Sequence, residues 1–250
     1  MILRLILVLC LLTMSFGLRA EPLRIAASSS LQFALNDVVA SYVEQTGRQA
    51  PQVVYGSSGN LYRQIVQGAP FELFFSARGE LTRRLYEQGI SSDTGELFGS
   101  GSLVLLSASP FSIDSGLADF IRSGVLADNQ KLAIANPVHA PYGRAAKEVL
   151  QSLGVWQEVQ HNLINGEQVS QATRFVVSGA SSFGLVSLSL ALSPSIADIT
   201  HYQQVDRALH ESVEHKMVRI KESSSAAEDF YQYVRENENA DKIFSRYGLR

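Results

Sequence analysis

The sequence has 250 residues, with 21 Lys and Arg, 24 Asp and Glu, and a formal net charge of −3. This slightly acidic balance argues against nucleic acid or an anionic membrane surface as a partner, because both select basic patches. The length suits either one large domain or two modest lobes.

The first element in chain order is an apolar leader. A start with one positive charge, Arg4, precedes an apolar run over residues 5–18, and Ala20 is a small residue at a suitable cleavage point. This pattern predicts a secretory signal peptide, residues 1–20, that is removed after Ala20 on export to the periplasm. An uncleaved anchor is the alternative, although the apolar run is short for a membrane span.

Removal of the leader changes the mature chain in two ways. Losing two arginines takes the formal charge from −3 to −5, and the only cysteine of the sequence, Cys10, is also lost. Leu9 is not the small residue that a lipoprotein signal needs before its cysteine, so no lipid anchor is expected. The mature protein then has no disulfide and depends on its hydrophobic core for stability.

Short apolar strands alternate with amphipathic helices through the mature chain. Strands are predicted at 23–27, 53–55, 71–76, 103–107, 131–135, 163–166, 182–188 and 216–220. Helical spacing of apolar residues predicts helices at about 31–42, 59–66, 81–86, 143–153, 170–178, 225–235 and 239–247. Continuously apolar strands separated by helices indicate an α/β fold with mostly parallel sheets that are covered on both faces.

Two rounds of this pattern predict two lobes. The first lobe comprises residues 21–102, the second comprises 103–213, and residues 214–250 return to the first. A chain that crosses twice between lobes leaves a cleft that can open and close. From the pattern alone, a single doubly wound domain is the alternative.

Candidate binding residues follow the strands, because ligands of parallel sheets bind where strands end and helices begin. Helix N-termini there offer unpaired N–H groups and a positive partial charge. Four such junctions carry hydroxyls, small residues or exposed amides, with no central Arg or Lys: Ser28–Ser30, Gly56–Gly59, Asn136–Gly143 and Glu167–Val169. Neutral donors of this kind suit a dehydrated oxyanion. At any single junction, a serine that only caps the helix is the alternative.

The motifs that would indicate enzymatic chemistry are not found in the sequence. The run Gly56–Gly59 has the wrong spacing for the nucleophile elbow of a serine hydrolase. The five histidines show no metal-ligand spacing, and we expect them on the surface. No glycine loop followed by a phosphate-binding lysine occurs either. The sequence therefore gives little support for enzymatic chemistry.

The junction segments resemble those of the periplasmic molybdate-binding proteins of ABC transporters. The matching pieces are Ala26–Leu31, Gly56–Gly59, Gln64–Pro70, Phe75–Ala77, Ala135–Pro137, Ala140–Gly143, Gly184–Ser189 and Phe244–Gly248. Each piece is weak alone, but the ordered set covers the mature chain and is specific. The resemblance implies a type II two-lobe solute-binding fold that binds molybdate, and also tungstate, without a cofactor. It further implies a membrane permease of the ABC type as the partner, and a monomer fits that role.

The resemblance also implies which residues contact the oxyanion. In lobe one the donors fall on Ser29, Ser30 and Ser58. In lobe two they fall on Tyr142 and Val169, which donate their backbone amides; in one branch of the family a tyrosine at the first position lies at the ligand. No side chain is expected to bind the molybdenum atom directly.

Two positions depart from the family pattern. Ser187 stands where another branch supplies a tyrosine hydroxyl, so Ser187 is a marginal candidate and Tyr142 is expected to replace that tyrosine. Arg78 follows the Phe-Ser-Ala segment, where an acidic residue is common. If Arg78 faces the cleft, the ligand could be another oxyanion such as sulfate or phosphate; a surface or interlobe position is the alternative. An enzyme and an exported adaptor on the same scaffold are the rival functions.

Overall fold

The computed structural model describes residues 21–126 and 130–249, so the predicted signal peptide lies outside the described residues. The strands are β1 Arg24–Ser28, β2 Gln52–Gly56, β3 Leu73–Ser76, β4 Glu96–Gly101, β5 Leu103–Ser107, β6 Leu132–Ala135, β7 Leu163–Gly166, β8 Phe183–Ser187, β9 His201–Gln204 and β10 Val213–Arg219. Within this part of the chain, no helix has the length and apolar character needed to cross a membrane.

The helices lie between and after the strands. They are α1 Gln32–Thr46, α2 Ser58–Val66, α3 Gly79–Glu87, α4 Leu117–Phe120, α5 Pro141–Ser152, α6 Trp156–Val159, α7 Val169–Val177, α8 Leu188–Ala191, α9 Pro194–Ala197, α10 Ser225–Glu236 and α11 Glu238–Arg246. Short 3-10 turns cover Ser29–Leu31, Gln160–Asn162 and Arg207–Leu209, and a π-helical turn covers Ile121–Leu126.

The strands form two five-stranded sheets, which are the centres of two lobes. The sheet of lobe one has the order β2-β1-β3-β10-β4, in which β2, β1 and β3 are parallel and β10 runs antiparallel to both of its neighbours. The sheet of lobe two has the order β7-β6-β8-β5-β9, in which β7, β6 and β8 are parallel and β5 is antiparallel to its neighbours. The predicted two-lobe α/β fold is therefore confirmed, but each sheet is mixed, with two parallel and two antiparallel pairings, rather than mostly parallel.

Helices cover both faces of the sheet in lobe one, as its uninterrupted apolar strands require. In β3, Phe74 packs with residues of α2 and α3 on one face, whereas Phe75 packs on the other face. The ring of Phe75 lies 6.3 Å from that of Phe230 in α10, measured between centroids. Successive residues of a strand point to opposite faces, so a strand between two helical layers must be apolar throughout.

The chain crosses twice between the lobes. Only Ser102 separates β4, in the sheet of lobe one, from β5, in the sheet of lobe two. Residues 205–212 lead back from β9 in lobe two to β10 in lobe one. This return strand begins at Val213, three residues before the predicted start, and therefore includes His215.

Two strands, β4 and β9, were not predicted from the sequence. Both are edge strands, and both carry exposed residues, including Leu97 in β4 and His201 in β9. An edge strand pairs on one side only and can face solvent, so it does not need the apolar run that identified the inner strands. Glycines in β4 and polar residues in β9 therefore leave no continuous apolar run in either strand.

Candidate functional site

The first part of the site lies where β1 and β2 end in lobe one. These strands are parallel neighbours, and their last residues, Ser28 and Gly56, pair directly. The 3-10 turn that contains Ser29 and Ser30 follows β1, and α2 begins at Ser58 after β2. All three serines are at most 1% exposed. Matching strand ends therefore bring the three predicted donors of lobe one to the same edge of the sheet.

The second part lies at the corresponding edge of lobe two. Strands β6 and β7 are parallel and end as the pair Ala135 and Gly166. Tyr142 is the second residue of α5, directly after Pro141, and Val169 is the first residue of α7. Backbone N–H groups in the first turn of a helix have no acceptor within that helix. The amides of Tyr142 and Val169 are thus available to a ligand, as predicted donors should be.

Hydrogen bonds between the lobes show that the structure is in a closed conformation. The backbone N–H of Ser170 donates to Ser29 Oγ at 3.4 Å. The hydroxyl of Ser189, in α8, donates to the backbone oxygen of Ser30 at 2.7 Å. Both bonds join the serine turn after β1 to the helix starts of lobe two, so the two halves of the predicted site meet.

A third interlobe bond lies beside Ser58. The backbone N–H of Gly59 donates to the carbonyl oxygen of His139 at 3.0 Å. His139 also pairs with Glu167, with 3.0 Å between Nε2 and the carboxylate oxygen. Burial lowers the pKa of His139, while the charge of Glu167 acts in the opposite direction. The loop before α5 is therefore fixed against the start of α2 when the lobes are closed.

The hydroxyl protons of two predicted donors are free for a ligand. Ser29 Oγ accepts its bond from the N–H of Ser170. Ser58 Oγ accepts a bond from the backbone N–H of Ala77 at 3.0 Å. A serine hydroxyl carries one proton and can accept as well as donate. Both oxygens are therefore fixed as acceptors by the protein, and each keeps its proton to donate to an anion.

Ser187, the marginal candidate, lies in a different position. It is fully buried at the end of β8, and its Oγ is 3.3 Å from that of Ser189. The single proton of Ser189 goes to the carbonyl oxygen of Ser30, because a carbonyl can only accept. The longer contact also has Ser189 as the donor, so Ser187 is a secondary acceptor behind Ser189 rather than one of the hydroxyls that join the lobes.

Three buried hydroxyls beside these donors have no hydrogen-bond partner among the described residues: those of Ser57, Tyr142 and Ser170. Buried polar groups without a protein partner are rare, so these hydroxyls are available to bond a ligand or a water molecule. Burial raises the pKa of Tyr142, with the hydroxyls of Ser189 and Ser30 acting against that shift. The tyrosine is therefore a neutral donor at physiological pH.

The expectation that all five histidines lie on the surface is wrong for His215. Its side chain is fully buried, with Nε2 3.2 Å from Ser30 Oγ and Nδ1 3.1 Å from the carbonyl oxygen of Val213. It precedes the predicted strand 216–220 but lies on β10, in the sheet of lobe one, and its ring faces that of Tyr142 in lobe two. The other histidines are exposed or half-buried: His161, His201, His139 and His210.

Arg78 lies at the interlobe cleft, but not among the serines. Its guanidinium pairs with Glu80 at 2.7 Å and lines a cleft of about 480 Å³. Arg144 of lobe two and Glu214 of the return strand line the same cleft. Burial acts to raise the pKa of Glu80, but Arg78 and Arg84 together lower it, so the Glu80 carboxylate is charged. This negative charge compensates the positive charge of the Arg78 guanidinium.

Sequence reasoning missed three residues that contact the predicted donors: Ser170, Ser189 and His215. Ser170 directly follows Val169, so its place in the first turn of α7 could have been inferred from the same helix start. Ser189 falls in a segment that matched the family but had no assigned role. Nothing in the sequence around His215 indicated that it reaches Ser30. In the part of the chain that the structure describes, no cluster of three or more His, Cys, Asp and Glu residues could hold a metal ion.

Over most of its length the chain is similar to proteins that are named as molybdate-binding or as ABC transporter substrate-binding proteins. The chain is 31% identical to the molybdate-binding protein ModA of Rhodobacter capsulatus over 243 residues, which cover 95% of this chain and 92% of that protein. It is also 31% identical to a putative ABC transporter substrate-binding lipoprotein of Bacillus subtilis, with coverages of 91% and 85%. The solved periplasmic molybdate-binding protein of Azotobacter vinelandii superposes with a TM-score of 0.81 at 29% identity, covering 91% of this chain and 98% of that one.

The family description "Bacterial extracellular solute-binding protein" matches residues 23–250, which include both lobes and every predicted donor. The closed interlobe arrangement, in which hydroxyls and helix-start amides face each other, is the expected construction for such a role. The chain belongs to the family of bacterial extracellular solute-binding proteins.

Proposed function

We propose that this protein captures molybdate, and also tungstate, between its two lobes and delivers it to the membrane permease of an ABC transporter. The observation that carries the proposal is the meeting of neutral donors from both lobes, through the contacts of Ser29 with Ser170 and of Ser30 with Ser189. Relatives over nearly the full length that are named for molybdate support this choice of ligand.

In this proposal the anion is surrounded by hydrogen-bond donors rather than by cations. Ser29 and Ser58 donate hydroxyl protons from lobe one, where Ser30 adds its backbone amide. Tyr142 and Val169 donate amides at helix starts of lobe two, where the helix dipoles also favour negative charge. Because donors come from both lobes, the ligand binds the closed form more tightly and shifts the protein towards it.

Selection against sulfate then depends on the size of the cavity, since the two dianions have the same charge. The molybdenum atom is contacted only through its oxygen atoms, and no cofactor takes part. Residues 1–20 direct export and are removed, and the mature monomer works in the periplasm. Docking of the closed form on the permease completes delivery.

A binding protein for sulfate or phosphate is the second candidate, and the position of Arg78 at the cleft is the observation that favours it. An arginine that faced the ligand would favour anions without regard to size. The pairing of Arg78 with Glu80 argues against that role. An enzyme on this scaffold would need turnover or a modified serine, and no feature of the site requires either.

Thermal unfolding of residues 21–250 with a panel of oxyanions tests the proposal. A ligand at about 100 times its dissociation constant stabilises the folded state by about 2.7 kcal/mol. For a chain of this length that corresponds to an increase in Tm of about 5 to 10 °C. We expect this increase with molybdate and tungstate, and little change with sulfate or phosphate at the same concentration. An increase with sulfate alone would identify the second candidate, and no increase with any of the four would reject an oxyanion ligand.

A further inference from the structure

The buried His215 lies directly behind one of the predicted donors. It is on β10, the strand that returns the chain to lobe one, and its side chain is fully buried. Its Nε2 lies 3.2 Å from Ser30 Oγ, and its Nδ1 lies 3.1 Å from the carbonyl oxygen of Val213. These two contacts determine where the protons of the ring and of the serine must be.

The carbonyl oxygen of Val213 can only accept, so the proton of the neutral ring is on Nδ1. Nε2 then has no proton and accepts from its neighbour, which is the hydroxyl of Ser30. Ser28 Oγ lies 3.0 Å from Ser30 Oγ and can donate to it in turn. While His215 is neutral, the only hydroxyl proton of Ser30 is therefore directed away from the ligand, which receives only the backbone amide of that residue.

Protonation of His215 reverses this direction. An imidazolium carries protons on both nitrogens, so Nε2 donates to Ser30 Oγ and the serine proton becomes free. The free proton can be donated to a bound oxyanion. The charged ring also lies close to the bound anion, with only Ser30 between them. Burial weakens the screening of this positive charge by solvent.

The groups that face His215 do not supply a competing charge. Ser30 faces it from the serine turn, Gly101 and the ring of Phe98 face it from β4, and the ring of Tyr142 faces it from α5, with 6.2 Å between centroids. Of these only Tyr142 is titratable, and its raised pKa keeps it neutral.

The charged neighbours of His215 on its own strand lie on the other face of the sheet. Glu214 is exposed and Lys216 is half-buried, because side chains alternate along β10. Burial lowers the pKa of His215 to about 4, with the carbonyl of Val213 acting slightly in the opposite direction. Without an anion the ring is therefore neutral at pH 7.

We propose that His215 links anion binding to proton uptake, because a dianion beside Ser30 favours the imidazolium that releases the Ser30 hydroxyl. This inference rests on the proposed function, in which a tetrahedral dianion binds next to Ser30. The anion-bound protein then holds a proton at His215 to a higher pH than the free protein does. Between those two pH values the affinity for the anion rises as the pH falls, by up to about tenfold per pH unit.

Isothermal titration calorimetry with sodium molybdate tests this linkage. Titrations at pH 5.5, 6.5 and 7.5, each in two buffers of different ionisation enthalpy, give the affinity and the number of protons taken up. For the wild-type protein we expect an uptake of up to one proton per anion that increases towards pH 5.5, together with an increase in affinity. His215→Gln, which retains hydrogen-bonding groups but does not titrate here, should remove both effects. The matched control His161→Gln, at an exposed histidine of lobe two, should behave as the wild type.

A second measurement on the wild type keeps the test decisive if His215→Gln does not fold. The 15N shifts of the His215 imidazole distinguish a neutral ring with a proton on Nδ1 from an imidazolium, and molybdate should convert the first into the second at pH 5.5 to 6.5. Binding without proton uptake, or with equal uptake in His215→Gln, would overturn the inference and leave the proposed function intact. No heat and no thermal shift with molybdate would instead reject the proposed function itself, and the linkage with it.

Discussion

Gly59→Ala is expected to weaken molybdate binding by about 5- to 150-fold without destabilising either lobe. A Cβ atom at Gly59 would lie 2.7 Å from the backbone oxygen of His139, and 3.0 Å from its Cα, across the interface between the lobes. Backbone atoms cannot move aside as a flexible side chain does, and overpacking of this kind costs about 1–3 kcal/mol. This cost destabilises only the closed form, which is the form that binds the anion. The apparent affinity for molybdate therefore falls by about 5- to 150-fold, the factor that corresponds to about 1–3 kcal/mol.

Two measurements separate this effect from loss of folding. In the open form the alanine only adds a good helix former to α2, so Tm without ligand should be unchanged or slightly higher. Calorimetry gives the affinity, and small-angle X-ray scattering should show less compaction on adding molybdate. Gly124→Ala is the matched control, because a Cβ there meets only the ring of Phe120 at 3.6 Å or more. An affinity of Gly59→Ala equal to that of the wild type would mean that binding does not require this closed contact.

Ser58→Ala is expected to cost about 1–3 kcal/mol of binding free energy, because a buried anion oxygen and the N–H of Ala77 both lose a partner. Ser58 is fully buried, and its Oγ accepts from Ala77 at 3.0 Å while its proton remains free. The affinity for molybdate, measured by calorimetry, should fall by about 5- to 150-fold. The lost internal bond should also lower Tm of the ligand-free protein by about 2 to 4 °C.

The matched control for this variant is Ser193→Ala. Ser193 is as deeply buried, and its hydroxyl donates to the backbone oxygen of Leu190 at 2.8 Å, at the start of α9. It should show a similar decrease in Tm with wild-type affinity. If Ser58→Ala also bound molybdate as tightly as the wild type, Ser58 would have to be removed from the proposed site.

The inner strands could be predicted from the sequence because burial on both faces leaves a continuous apolar run. Most long helices could be predicted because their apolar residues recur at helical spacing. The inner strand β5 was placed at its observed bounds, and the two closing helices differ by about one residue from α10 and α11. The edge strands β4 and β9 could not be found in this way, since half of their surface faces water or a loop. β4 forms by pairing with β10, and β9 forms by pairing with β5. Both partners are distant in sequence, so no local pattern indicates the pairing.

The positions of the predicted donors could be inferred because strand ends and helix starts leave a signal in the sequence. Ser29, Ser30, Ser58, Tyr142 and Val169 all lie at such junctions in the structure, and their roles as ligands stay predictions. The residues behind them could not be inferred. Ser189 and His215 reach Ser30 only through the closure of the lobes and the return of β10, neither of which has a local pattern.

The place of β10 in the middle of its sheet also has a consequence for the order of folding. All five strands of lobe two occur in one continuous stretch, residues 103–204, and can assemble as soon as that stretch is available. In lobe one, β4 pairs only with β10, so its backbone groups have no strand partner until the chain has traversed the whole of lobe two. Because contacts across so long a loop form slowly, we expect lobe two to fold first. The serine turn after β1 is then joined by His215 of β10 only in the last step, so the complete set of contacts around Ser30 forms late in folding.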